Sequence, residues 1–408
     1  MQAGATVYSI KETPLIYGLR PERNRNVMEK FIYSYPTKVY FGEGIAADSL
    51  RKELPNMGNT VMLAYGGGSI IKNGIYAQVK GILESAGKEV VDFPGITPNP
   101  TYAKAQEGAL LAKKRKVDFI VAVGGGSVTD CCKVISAQAK LEEDIWDMEY
   151  AGGKFPFAGI PFGAIVTASG TGAEMNSGAV ITYEEKMWKG PIVGTSASFA
   201  ILDPLYTATV PPIQVLSGAF DTLSHAMETY LGNSDTDNVS DDVALAVMRN
   251  TVINMRRLSS NIQDMQARGN LMWDSAMAEN GILKVGRFTD FQAHQIEHQL
   301  GAYTDCNHGQ GLAVIQPVYY RHILKDADEK FTRIAKTVFE KDSAESGVKA
   351  LSQLIKDCSL PSKLSELRSK VQITPEILRK VAYTCNIIQS NPRELSRDEV
   401  YEILLECM

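Results

Sequence analysis

The chain has 408 residues, 44% of them hydrophobic and 22% charged, and a formal net charge of −5. This is the composition of a globular protein, and the mild acidic excess disfavours nucleic-acid binding, which usually needs a basic face. No apolar run approaches the roughly 20 residues of a membrane-spanning helix, and the N-terminus lacks the pattern of a signal peptide. We therefore expect a cytoplasmic protein with neither a nucleic-acid nor a membrane partner.

The first 27 residues show no hydrophobic period and contain Pro14, Pro21 and a charged stretch. We interpret residues 1–27 as an extension, either disordered or non-native, with an edge strand as the alternative.

An α/β pattern follows, in which apolar β-rich runs alternate with helical periods. Continuous apolar strands separated by helices predict a parallel sheet covered on both faces. The predicted strands are 60–64, 89–93, 118–123 and a run ending at Thr167, and the predicted helices are 71–86, 101–116 and 127–140.

After Asp203-Pro204 the pattern changes to successive helices, for example 243–258, 271–282, 329–340 and 398–406. The sequence therefore predicts an α/β domain over residues 28–208 and an all-α domain over residues 209–408.

Three glycine-rich loops follow predicted strands of the α/β domain. Backbone N–H groups in such a turn can approach a phosphate, and a following helix N-terminus adds partial positive charge. One loop alone would indicate only a tight turn, but three in one sheet predict a phosphate or dinucleotide site. None matches GxGxxG or GxxxxGK(S/T). The loops are Tyr65-Gly-Gly-Gly-Ser69, Val123-Gly-Gly-Gly-Ser127 and Thr167-Ala-Ser-Gly-Thr-Gly172.

Histidines cluster in Asp221-Thr-Leu-Ser-His225 and His294-Gln-Ile-Glu-His298, with His308 expected on the next helix. Residues i and i+4 share a helix face, so each pair can reach one point. Such mixed oxygen and nitrogen donors suit Fe²⁺, Zn²⁺, Mn²⁺ or Ni²⁺. Five candidates for about four ligand positions leave one histidine to carry protons. The isolated His322 is interpreted as a structural residue.

Together these segments resemble the iron-containing, metal-dependent alcohol dehydrogenase family, in particular its bacterial NAD(P)H-dependent butanol dehydrogenases and aldehyde reductases. The resemblance covers roughly residues 28–408. It implies a dehydroquinate synthase-like fold, with a Rossmann-like dinucleotide-binding domain before an all-α metal-binding domain, and it implies a homodimer. The recurring motifs are Tyr65-Gly-Gly-Gly-Ser-Ile-Ile-Lys-Asn-Gly74, Pro98-Asn-Pro-Thr101, residues 124–130, Gly170-Thr-Gly-Ala-Glu174, Asp203-Pro204 and the two histidine segments.

The resemblance also implies roles for individual residues. The expected metal ligands are Asp221, His225, His294 and His308, with Fe²⁺ as the first expectation, and His298 matches a residue often assigned to proton relay. The expected cofactor contacts are Asn99, Gly125, Gly126, Ser127, Asp130, Thr167, Thr171 and Lys189.

One departure concerns the cofactor. NAD-specific members carry an Asp that holds the adenosine ribose, where this chain has Gly67. Without that charge nothing there repels a 2′-phosphate, and the N–H groups and hydroxyl of Gly66, Gly67, Gly68 and Ser69 could bind it. We therefore predict a preference for NADP(H) over NAD(H).

The implied reaction is hydride transfer between the nicotinamide and an alcohol or aldehyde such as butanol or butyraldehyde, with the metal as a Lewis acid. A polyol dehydrogenase or a dehydroquinate synthase of the same fold is the nearest alternative, although the Asp221/His225 pair fits alcohol dehydrogenases better. A metal-dependent hydrolase would need no dinucleotide, and intact ligand positions argue against a non-catalytic dinucleotide sensor.

Overall fold

A computed structural model describes residues 31–232, 238–287, 289–389 and 392–408. In these ranges the chain forms two compact units, Ser34–Val210 and Pro211–Met408. The first unit contains all the described strands, and the second is helical, so the predicted order of an α/β unit followed by helices is confirmed. The predicted extension, residues 1–27, lies outside the described residues.

The first unit is built around a six-stranded parallel sheet. Its strands are β1 (Lys38–Phe41), β2 (Thr60–Tyr65), β3 (Glu89–Phe93), β4 (Phe119–Gly124), β5 (Phe162–Val166) and β8 (Phe199–Leu202), while β6 (Gly178–Tyr183) and β7 (Trp188–Val193) form a separate antiparallel hairpin. The strand order is β1-β8-β5-β4-β2-β3, with every pairing parallel. The central strands β4 and β5 are buried along their whole length, which explains their uninterrupted apolar sequence.

Helices cover both faces of this sheet. They are α1 (Ala46–Glu53), α2 (Ser69–Lys72), α3 (Ile75–Ser85), α4 (Tyr102–Arg115) and α5 (Gly126–Gln138). Leu50 of α1 and Leu83 of α3 belong to one hydrophobic core, and Ala109 of α4 and Ile135 of α5 belong to another. Such a two-faced arrangement leaves the carboxyl ends of the strands available for a ligand.

The prediction of one helix over residues 71–86 is wrong. The segment divides into α2 and α3, because Gly74 has a φ of 83°. This left-handed conformation suits glycine and interrupts an α-helix.

The second unit consists of nine α-helices in its described part. They are α6 (Pro212–Leu231), α7 (Val239–Ser260), α8 (Met265–Glu279), α9 (Gln292–Thr304), α10 (His308–Ile323), α11 (Asp328–Phe339), α12 (Ala344–Asp357), α13 (Pro375–Thr384) and α14 (Arg397–Glu406). One hydrophobic core includes Phe220 of α6, Leu300 of α9 and Ile315 of α10, so the three helices that carry the histidine segments pack together. Among the described helices, none has the length and hydropathy needed to span a membrane.

Candidate functional site

Helix α6 carries the first pair of predicted ligands. It begins with Pro212 in its first turn, a position where the missing N–H of proline costs no helical hydrogen bond. Asp221 and His225 lie one turn apart and are both buried, as their i, i+4 spacing predicts.

Helices α9 and α10 carry the other histidines. His294 and His298 are buried on α9, which ends where Asp305 adopts a left-handed conformation with a φ of 52°. The Asn307 side chain then caps α10, accepting a hydrogen bond from the Gln310 N–H at 3.1 Å. His308 is therefore the first residue of α10, as the sequence predicts.

A glycine allows α10 to approach α6 closely. A Cβ atom at Gly309 would lie 2.3 Å from the carbonyl oxygen of Ser217, so any larger residue would separate the two helices. Because Ser217 precedes Asp221 by one turn of α6, this close packing brings His308 next to the Asp221 carboxylate.

The Asp221 carboxylate lies at the centre of the cluster. Its Oδ1 is 3.4 Å from Nε2 of His308, 3.7 Å from Nε2 of His294 and 3.8 Å from Nδ1 of His225. Ligand atoms about 2.0–2.1 Å from a tetrahedral ion lie roughly 3.3–3.4 Å apart. Asp221, His294 and His308 satisfy the geometry of a shared metal site, and His225 lies at its margin.

Buried atoms in the cluster lack hydrogen bonds. Among the described residues, Asp221 Oδ1, His225 Nδ1 and His294 Nε2 have no hydrogen-bond partner. Since buried polar atoms are normally satisfied, these three are suited to coordinate a cation. The donor set therefore fits a divalent metal.

The electrostatics of the cluster favour a cation. Burial opposes the ionisation of Asp221, but His225 and His308 hold the pKa of its carboxyl well below the usual range. Burial also opposes a charge on His294, yet Glu228 and Asp221 raise its pKa to about 10. The neighbouring imidazoles thus keep Asp221 ionised, and the raised pKa of His294 shows that negative charge surrounds that ring.

The remaining histidines differ in their surroundings. His298 is buried outside the Asp221 group, with its ring 5.2 Å from the ring of His308 and 5.9 Å from that of His294. His322 pairs with Glu406 at 2.9 Å and with Glu399 at 3.5 Å. His298 thus lies beside the cluster, whereas His322 belongs to a network of ion pairs.

Sequence reasoning missed two residues of the site, Glu228 and Glu297. Glu228 Oε1 is 2.6 Å from Nδ1 of His294, and the Glu297 carboxylate bonds to Nδ1 of His308. A sequence signal existed, because Glu228 lies three residues after His225 and Glu297 lies three after His294, and such residues share a helix face.

The glycine loops meet at one edge of the sheet. They follow β2, β4 and β5, which are adjacent and parallel. The Thr167 N–H donates to the Gly124 carbonyl at 2.9 Å, and a Cβ atom at Gly126 would lie 2.2 Å from Thr171 Oγ1. Two loops are therefore in direct contact. Gly125, Gly126, Ser127, Thr167 and Thr171 are partly exposed, while Gly67, Gly68 and Ser69 are exposed.

The other predicted cofactor contacts vary in accessibility. Asn99 is half-buried with a left-handed φ of 53°, and Lys189 is buried in β7. The Asp130 carboxylate accepts from Lys133 Nζ at 3.1 Å and from the Val180 N–H at 2.9 Å. The bond from Val180 ties α5 to β6, and a direct contact from Asp130 to a cofactor stays a prediction.

Comparison with known proteins covers nearly the whole chain. A family described as "Iron-containing alcohol dehydrogenase" matches residues 36–204, and "Fe-containing alcohol dehydrogenase family, C-terminal" matches residues 215–408. The probable NADH-dependent butanol dehydrogenase 2 of Bacillus subtilis is 34% identical over 392 residues, covering 92% of this chain and 99% of the relative.

Two further proteins resemble this chain over most of its length. The NADPH-dependent aldehyde reductase YqhD of Escherichia coli is 31% identical over 364 residues, covering 87% of this chain and 93% of the relative. The crystal structure of NADH-dependent butanol dehydrogenase A from Thermotoga maritima superposes with a TM-score of 0.86 at 33% identity, covering 93% of this chain and 99% of that one. The fold expected from the sequence is thereby confirmed.

Proposed function

Since the chain belongs to the iron-containing alcohol dehydrogenase family and is an alcohol dehydrogenase or aldehyde reductase, we propose that it interconverts short primary alcohols and aldehydes of the butanol and butyraldehyde type with NADP(H). The observation that carries the metal-dependent part is the convergence of Asp221 with three imidazoles in a buried cluster.

Asp221, His225, His294 and His308 would hold one divalent metal, with Fe²⁺ as the first choice and Zn²⁺, Mn²⁺ or Ni²⁺ as alternatives. When bound, the metal would act as a Lewis acid toward the substrate oxygen. The side chains supply the negative charge and fixed donor positions that this chemistry requires.

His298 would carry the proton exchanged with the substrate oxygen. It is buried beside two predicted ligands, yet it lies outside the group formed by Asp221, His294 and His308. An imidazole in that position can donate or accept a proton near neutral pH without giving up a metal bond.

The preference for NADP(H) rests on Gly67. This residue is exposed just after β2, and no described atom beyond its chain neighbours lies within 4 Å of the position that its Cβ would occupy. The loop thus leaves room for a 2′-phosphate and presents no carboxylate to repel it. The relatives do not decide the question, since their names specify NADH for two and NADPH for one.

The test combines metal analysis of the purified protein with NADPH and NADH oxidation assays over linear aldehydes from ethanal to hexanal. We expect about one metal per chain, the highest kcat/KM near butanal, and a higher kcat/KM with NADPH than with NADH. A fully active metal-free protein would exclude the proposed metal chemistry, and equal kcat/KM values for the two cofactors would exclude the preference. Higher activity with glycerol or propanediol would instead identify a polyol dehydrogenase.

We also propose that the protein is a cytoplasmic homodimer, following its family resemblance. Light scattering of the purified chain tests the oligomeric state, and a monomeric mass would contradict it.

A further inference from the structure

Two fully buried glutamates lie behind the metal-binding histidines. Glu228 Oε1 is 2.6 Å from Nδ1 of His294, and the Glu297 carboxylate bonds to Nδ1 of His308. In each pair the carboxylate contacts the ring nitrogen that is remote from Asp221, because both Nε2 atoms face the Asp221 carboxylate.

This arrangement determines which ring nitrogen is available to a metal. A carboxylate that accepts a hydrogen bond from Nδ1–H keeps the proton on that nitrogen and leaves the lone pair on Nε2. It also fixes the plane of the ring and makes Nε2 a stronger donor. Glu228 and Glu297 therefore keep Nδ1 of His294 and His308 protonated and direct a cation to Nε2, whose proton the metal displaces.

Glu228 additionally connects two helices of the site. It belongs to α6, which carries Asp221, and its Oε2 accepts from the Ala293 N–H at 2.9 Å in the first turn of α9. Negative charge is favourable at a helix N-terminus. The same carboxylate thus orients the His294 ring and holds the helix that carries it against α6.

Glu297 makes the corresponding connection from α9 to α10. A Cβ atom at Gly311 of α10 would lie 2.8 Å from Glu297 Cγ and 3.0 Å from its Oε1. Glycine at this position therefore leaves the space that the glutamate occupies. Glu297 Oε1 also lies 3.8 Å from the sulfur of Cys306, in the turn before α10.

We propose that Glu228 and Glu297 are positioning residues that set the metal affinity of the site by fixing the protonation and orientation of His294 and His308. The proposal rests on the proposed function, because it assumes that these histidines bind a metal. Glu297, His298 and His308 also lie close enough to form a second metal-binding group. However, the bond between Glu297 and His308 assigns that carboxylate to the histidine.

The experiment compares the full-length protein with E228Q and E297Q. The matched control is D274N, which changes another buried carboxylate of the helical unit, one bonded to Asn250 and Thr251. Metal is removed with a chelator, and the Zn²⁺ Kd is measured by competition with a chromophoric chelator. Metal per chain and the Tm of the metal-free protein are measured in parallel.

We expect the Zn²⁺ Kd to rise about 100-fold in E228Q and about 10-fold in E297Q, the range known for residues that support metal ligands. The effect is larger in E228Q, because the new amide nitrogen must face either the Ala293 N–H or the His294 Nδ1–H, and two donors repel. In E297Q the amide nitrogen can instead face the sulfur of Cys306. D274N should leave the Kd unchanged, and the metal-free Tm should fall no more in E228Q and E297Q than in D274N.

A second variant leaves both glutamates intact. In G311A the new methyl group displaces Glu297 from His308, while alanine favours the helix. We expect the Zn²⁺ Kd of G311A to rise about as much as that of E297Q. The visible absorption spectrum of Co²⁺-loaded G311A should change in the same direction as that of Co²⁺-loaded E297Q.

Three results would overturn the proposal. The first is a Kd within twofold of wild type in E228Q and E297Q. The second is weaker Zn²⁺ binding together with a metal-free Tm that falls further than in D274N, which would indicate only a folding role. The third is two metals in the wild type and one in E297Q, which would make Glu297 a ligand. Failure of the proposed function is distinct, because the wild-type protein itself would then bind no Zn²⁺.

Discussion

The glycine loops of the α/β unit and the histidine cluster of the helical unit are built from different parts of the polypeptide. The loops present main-chain groups that are exposed or half-buried, and Gly67 has open space where a side chain would begin. The cluster consists of side-chain atoms, and Asp221 and His294 are almost completely buried. The glycine loops therefore depend on the lack of side chains, whereas the histidine cluster depends on particular side-chain atoms.

This difference predicts opposite sensitivities to mutation. The cluster should fail when a side chain is shortened, because a buried donor cannot be replaced by water without a large change in packing. The loops should fail when a side chain is added, because the backbone must approach its ligand closely.

The largest expected effect comes from shortening a central ligand. Asp221→Ala removes the carboxylate whose Oδ1 lies within 3.8 Å of three imidazoles. Because a Lewis-acid metal contributes several kcal/mol, we expect activity to fall roughly 10³-fold or more. Metal analysis should show that bound metal is lost while the circular dichroism spectrum is retained. An active variant with full metal content would show that Asp221 is not a ligand.

His298→Ala tests whether the cluster contains a residue that acts without binding metal. General acid–base catalysis contributes about 10²–10⁴-fold, so kcat should fall by about 10²-fold while the metal content stays at the wild-type value. His322→Ala is the matched control, because His322 pairs with Glu399 and Glu406 instead. Loss of metal from the His298 variant would assign His298 to the ligands.

Gly126→Ala tests the loops by adding one methyl group. Its Cβ would lie 2.2 Å from Thr171 Oγ1, so one loop must move. Overpacking of this kind costs about 1–3 kcal/mol, and we expect the KM for NADPH to rise about tenfold with unchanged metal content. Gly81→Ala is the control, since no described atom outside its own helix backbone and its chain neighbours lies within 4 Å of that Cβ position. An unchanged KM would contradict a cofactor role for this loop.

Gly67→Asp adds a charge where the structure has space. A carboxylate near a 2′-phosphate costs about 1 kcal/mol in water, so the NADPH to NADH ratio of kcat/KM should fall about fivefold. Gly67→Asn, which is similar in size and neutral, separates the effect of charge from that of volume. Equal ratios in both variants would remove Gly67 from the explanation of cofactor preference.

The sequence predicted the repetitive parts of both units well. Strands β2 and β3 and helix α4 agree within one or two residues, because long apolar runs and helical periods are local signals. It missed the β6–β7 hairpin, whose second strand contains Pro191, a residue that usually counts against a strand. It also missed the left-handed Gly74, because a glycine inside a helical period does not reveal its φ.

The predicted metal cluster shows the same limit, because local patterns do not reveal contacts between distant segments. The i, i+4 spacing predicted that Asp221 and His225 share one helix face and that His294 and His298 share another. The bond between Glu228 and the Ala293 N–H joins residues 65 positions apart, and only the packing of α6 against α9 creates it. Sequence patterns identified the side chains that are predicted to bind a metal, whereas identifying the residues that orient them required the structure.

The last comparison concerns stability instead of activity and uses two buried carboxyl groups, one in each unit. Imidazoles hold the pKa of Asp221 down, whereas burial raises the pKa of Glu149 from 4.5 to about 8, opposed only in part by the Val193 N–H. Between those two pH values folded Glu149 keeps a proton that the unfolded chain has lost, so stability falls as pH rises. Glu149→Gln cannot ionise. Urea unfolding should therefore show equal stability near pH 4, and a variant more stable by roughly 1–3 kcal/mol near pH 9.

Glu142→Gln, at an exposed glutamate, is the control for that measurement and should match wild type at both pH values. If Glu149→Gln were equally stable or less stable than wild type near pH 9, the carboxylate of Glu149 would be stabilised in the folded protein by more than one N–H. The buried carboxylates of both units, Glu149 and Asp221, would then be stabilised in their charged form. If the variant is more stable, a buried carboxylate stays charged at low cost only where cationic or metal-binding partners surround it, as they do at Asp221.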